Sequence, residues 1–97
     1  MSGAIGLVEC RGLVATMVAV EAMCKAAAVR CVRVDRVSGG VLISVITGDL
    51  ASVDAAVSAA ELAVQQYGQR PRTQVYPRPE PAAAQLLLGS GRLGGDA

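Results

Sequence analysis

The sequence predicts an α+β domain in which helices cover one face of an antiparallel sheet, and three observations predict it. Two long Ala-rich, helix-like stretches occupy the two halves of the chain. A pair of β-branched runs lies between them, separated only by Ser38, Gly39 and Gly40. One further short apolar run precedes the first helix and another follows the second, so the order is strand, helix, strand, strand, helix, strand, with a short helix to close. That is the ferredoxin-like βαββαβ pattern.

Ala4 to Cys10 is apolar but for Glu9 and reads as a strand, which Arg11-Gly12 ends. From Leu13 to Ala28 only Thr16, Glu21 and Lys25 are polar, and the density of Ala, Met and Leu favours a helix. At about 100° per residue Glu21 and Lys25 form an i,i+4 pair, with apolar groups around most of the remaining circumference. A helix this apolar needs cover on more than one side. A second subunit is therefore expected to supply part of it.

Val29 to Val37 alternates, with Val32 and Val34 expected to face one way and Arg33 and Asp35 the other. Val41 to Ile46, apolar except for Ser44, suits a more central strand. The connection Ser38-Gly39-Gly40 can accept positive φ, which makes these strands antiparallel neighbours. Asp49 is placed to cap the helix from Leu50 to about Tyr67. On that helix Val53, Ala56, Val57, Ala60, Ala63, Val64 and Tyr67 gather on one side, opposite Asp54, Ser58, Glu61 and Gln65. Gly68 is a natural residue just past its end, and Thr73 to Tyr76 is a short strand stopped by the prolines after it. Ala82 to Leu88 forms a terminal helix, giving a single domain over 1–88. The Gly-rich composition of 89–97 predicts a flexible tail.

Ninety-seven residues make one small domain, 53% hydrophobic and 18% charged. That is more apolar surface than a lone chain of this size can bury, which again favours shared cores. No window approaches the roughly 18 uninterrupted apolar residues of a bilayer span. The N-terminus lacks the basic start and long apolar run of a secretory signal, which predicts a cytoplasmic protein. A net charge of +1 argues against nucleic acid or a membrane surface as partner.

Absences exclude further classes. With no His, no Trp, no Phe and two Tyr, the chain lacks the usual proton shuttle, the commonest metal ligand and a platform for stacking bases. Cys10, Cys24 and Cys31 contain no C-x-x-C pair, so no zinc or iron-sulfur site is expected and the cysteines read as small buried hydrophobes in a reducing compartment. No metal and no cofactor are predicted. Glu9, Glu21, Asp35 and Asp54 fall on separate elements, so no catalytic cluster is expected either. The glycines precede Val41-Leu42-Ile43 and not a helix N-terminus, which disfavours a phosphate-cradling loop.

Four segments in order carry a family resemblance: A-I-G-L-V-E-C-R-G-L-V-A, A-M-C-K-A-A-A-V, R-V-S-G-G-V-L-I-S-V-I-T-G-D and V-Y-P-R-P. From about Ala4 to Pro81 the chain resembles single-domain bacterial microcompartment shell proteins, the hexamer-forming type with one BMC domain per chain. The resemblance implies a cyclic homohexamer that tiles side by side with other shell proteins in the microcompartment shell in the cytoplasm, around encapsulated enzymes. It further implies no catalysis, and passive passage of small polar metabolites through a central pore.

By that resemblance Ser38, Gly39 and Gly40 line the pore, where repeated copies of a large side chain would plug the opening. The family's usual loop reads basic, aliphatic, Gly, Ser, Gly. Here Arg36 and Val37 precede Ser-Gly-Gly, which puts Gly39 at the narrowest point and implies a wider, less hydroxyl-lined constriction. Lys25 matches the family's edge lysine and Arg78, between two prolines, its edge arginine. Both are thereby implied in contacts between hexamers. The competing reading from the fold alone is a small-ligand-binding oligomeric sensor; without the family match Lys25 is simply a solvated partner of Glu21.

Overall fold

In a computed structural model of the chain, described here for residues 3–89, 91 and 93, the elements run β1 (Ala4–Arg11), α1 (Leu13–Ala26), β2 (Arg30–Ser38), β3 (Val41–Gly48), α2 (Leu50–Gln65), β4 (Arg72–Tyr76) and α3 (Pro81–Leu88). All seven elements follow the order expected from the sequence. The strands form one sheet in the order β2-β3-β1-β4, and every pairing is antiparallel. The molecule is a slab, 35 × 33 × 15 Å.

The core lies between the sheet and the two long helices. Ala4, Val8, Cys10 and Ile46 meet Ala15, Ala19 and Met23 of α1 and Val53, Ala56, Val57, Ala60 and Val64 of α2. Gly6 on β1 sets the spacing: a Cβ built there would lie 2.9 Å from Val53 Cγ1 and 3.0 Å from Ile46 Cγ1. A residue without a side chain is what lets α2 approach the sheet so closely. At the start of α2, Asp49 Oδ1 accepts from the Ser52 amide at 2.9 Å, as the sequence predicted. Tyr67, expected on the buried face, is 55% exposed, because α2 ends at Gln65 before another turn can carry it inward.

The expected alternation of β2 fails at Val32. A register shift between Cys31 and Arg33 leaves Val32 as an extra residue, so it lies in a cleft with Arg30, Ile5 and Thr47 on the face away from α1 and α2. Burial beyond the shift runs against polarity: the Arg33 side chain is 11% exposed while Val34 is 42% exposed. The cover comes from the C-terminal segment. α3 brings Ala84 and Leu88 over that cleft, and the Arg33 guanidinium donates to the carbonyls of Gly89 and Gly91. Asp35 accepts from Arg33 at 2.5 Å and from the Leu93 amide at 3.1 Å. Gly89, Gly91 and Leu93 of the expected flexible tail are thus hydrogen-bonded to β2; residues 90, 92 and 94–97 lie outside the described residues.

Candidate functional site

The β2–β3 hairpin closes with Gly39 and Gly40, at φ 58° and 81°. Positive φ at both central residues is the two-residue turn that matches strand twist, and it is open at little cost only to glycine. Nothing lies within 4 Å of where a Cβ would sit on either residue. Ser38 ends β2, paired with Val41, so the tip is formed by the two glycines. The tip is held from the end of β1: the amide of Gly12, just after that strand, donates to the Gly40 carbonyl at 2.7 Å, and Arg11 Nη1 to the Gly39 carbonyl at 3.2 Å. Arg11 is itself fixed by Gln69, whose Oε1 accepts from the Arg11 amide at 3.1 Å while its Nε2 donates to the Arg11 carbonyl at 2.8 Å.

Lys25 stands in the last turn of α1 with Nζ 3.4 Å from Glu21 Oε2, both side chains largely in solvent. Exposed pairs of this kind contribute well under about 1 kcal/mol, so the ammonium is readily available to another partner. Arg78 is exposed between Pro77 and Pro79, and belongs to neither ion pair formed among the described residues. Leu13, Val14 and Met17 on α1 and Leu62 on α2 are each at least 59% exposed. The excess apolar surface anticipated from the sequence is therefore real, and part of it lies on α1 and α2.

Burial raises the pKa of the Cys10 thiol, and the charge of Glu9 adds to this; burial also raises that of Cys31, with Cys24 contributing. Both stay protonated near neutral pH, which suits packing and not nucleophilic chemistry. Cys24 departs from the expectation of buried cysteines. It is exposed, because it shares the solvent side of α1 with Met17, Glu21 and Lys25. Among the described residues no three His, Cys, Asp or Glu side chains gather to hold a metal, and no helix is long and apolar enough to cross a membrane.

The model of the BMC domain matches residues 4–79. The chain belongs to the BMC domain family of bacterial microcompartment shell proteins. It is 42% identical over 76 residues to the bacterial microcompartment shell protein EutM of Salmonella typhimurium, covering 78% of this chain and 79% of that one. With the shell protein PduA of Citrobacter freundii identity is 33% over 84 residues, covering 87% and 90%. A solved microcompartment protein from Desulfitobacterium hafniense superposes with a TM-score of 0.78 at 26% identity over 96% of this chain; the chain spans about half of that one, 51%. A structural role in a shell follows from this kinship.

Sequence reasoning located the hairpin but missed its supports. Arg11-Gly12 had only the signature of a strand ending, and Gln69 that of a loop residue. The latter is 58 positions from the residue it brackets, a separation no local pattern reports.

Proposed function

We propose that the chain is a single-domain shell tile: six copies close into a flat ring in the microcompartment shell in the cytoplasm, and rings pack edge to edge with one another and with other shell proteins around encapsulated enzymes. The hairpin tips converge on the ring axis and leave a central pore for passive passage of small polar metabolites. The observation that carries this reading is the open tip at Gly39 and Gly40, two residues in backbone conformations that ordinary side chains resist, with nothing within 4 Å of either Cβ position. A turn built this way can meet its symmetry mates without steric conflict. The slab shape, 15 Å in its thin dimension, and the uncovered apolar residues of α1 favour lateral association.

In this arrangement Gly39 stands innermost and Ser38 behind it, so backbone amides and not hydroxyls dominate the constriction. Lys25 and Arg78 serve the outer edge, Lys25 exchanging its weak contact with Glu21 for carbonyls of the neighbouring ring. Electron microscopy of Lys25→Asp and Arg78→Ala tests the edge assignment. Both variants are expected to form rings but not extended sheets; sheets as large as those of the unmodified protein would refute it.

A further inference from the structure

A cleft of about 380 Å³ opens beside the turn of the hairpin, at Val41, and three arginines line it: Arg11 from β1, Arg72 from the start of β4 and Arg70 from the residues before it. Glu9 is the one carboxylate in the lining, leaving a local excess of two positive charges in a chain whose total is +1. Although Glu9 is the register partner of Arg72, neither of the two ion pairs among the described residues involves any of these arginines. Three like charges beside a single carboxylate still repel one another, and an anion between them reduces that cost.

The frame that carries them is fixed. Gln69 clamps the main chain of Arg11 on both its amide and its carbonyl, Gly68 turns the chain at φ 75°, and Pro71 restricts the backbone between the other two arginines. Arg11 spends one N–H on Gly39, and its fork has four more. From the other side of Arg70 stands Glu61, which already accepts from the Thr73 hydroxyl at 3.0 Å.

We infer that this cleft binds a small oxyanion of the phosphate type. Guanidinium forks match tetrahedral oxyanions in a bidentate manner, and Gln69 retains a donor hydrogen on Nε2. Glu9 gives the site its selectivity. A carboxylate repels an anion that carries only acceptors, such as sulfate, but accepts a hydrogen bond from the protonated oxygen of hydrogen phosphate or of a phosphate monoester bearing hydroxyls. The inference stands on the single chain and does not require the ring proposed above.

Titration of the intact protein with inorganic phosphate at low ionic strength, followed by calorimetry, tests it. Saturable binding of about one phosphate per chain is expected, with a Kd near or below ~1 mM and with sulfate at least about tenfold weaker. Arg70→Gln with Arg72→Gln should weaken phosphate at least about tenfold while circular dichroism is unchanged. Should that double variant misfold, Glu9→Gln decides, because it should erase the preference for phosphate over sulfate. Absence of saturation by about 10 mM, or equal affinity for the two anions in the unmodified protein, overturns the inference. Electron microscopy of the same samples keeps the readings apart: phosphate binding without rings sinks the shell tile alone, and rings without phosphate binding sink the cleft alone.

Discussion

Arg11 Nη1 lies 3.2 Å from the Gly39 carbonyl, so a charged side chain on the central strand β1 reaches the tip of a hairpin from the edge strand β2. This bond is one of two that tie the turn to the end of β1, the other being Gly12 to Gly40 at 2.7 Å. Replacing Arg11 by Ala removes one and spares the other. Amide exchange at Gly40 and Val41 is expected to quicken several-fold while the melting temperature moves by no more than a few degrees. Unchanged exchange would mean that the backbone bonds fix the turn without Arg11.

The second prediction concerns Arg33 and Asp35, which receive the C-terminal segment on the face away from the long helices. Asp35→Ala deprives the Leu93 amide of its acceptor. Its exchange is expected to accelerate on the order of tenfold, while the β2–β3 amides keep their protection. Retained protection at Leu93 would show that other contacts hold the segment.

Gly6 offers a packing test. An added methyl meets Val53 Cγ1 at 2.9 Å and Ile46 Cγ1 at 3.0 Å, both side-chain atoms that yield only by repacking. Gly6→Ala should cost about 1–3 kcal/mol in urea denaturation, and adding Val53→Ala should return part of the loss. Strictly additive losses would contradict the close approach of α2 to β1.

Asp49 gives a pH signature. Hydrogen bonds from the Ser52 amide and hydroxyl lower its pKa from the ordinary 3.8. A depressed carboxylate contributes stability that is complete above its unfolded value and fades as pH falls through the folded one. The melting-temperature advantage over Asp49→Ala should therefore be constant from pH 7 to about 5 and shrink below about pH 4, whereas Asp49→Asn, a neutral cap, should hold a constant offset from Asp49→Ala. An advantage independent of pH down to about 2 would remove the charge from the cap's account.

Much of this architecture was legible in the sequence because it rests on local signals. The density of Ala, Met and Leu marked α1, an amphipathic period marked α2, Asp49 and Gly68 bracketed α2, and two consecutive glycines announced the turn. The bulge at Val32 was not legible, since an extra residue in one strand is defined only against its partner β3. Nor was the burial of Arg33, which depends on a segment 56 residues later in the chain. The Arg11, Arg70 and Arg72 cleft belongs to the same class: its members are scattered in sequence and meet only because β4 pairs with β1. Composition anticipated exposed apolar surface on α1, but only the structure assigned it to Leu13, Val14 and Met17.

The most direct test of the central claim is cryo-electron microscopy of the purified protein in near-physiological buffer, at a resolution that traces the β2–β3 hairpin. The account predicts closed six-membered rings with Gly39 nearest the axis and an unobstructed opening between its copies. Monomers or dimers alone, or rings in which the hairpin faces the outer rim, would contradict it.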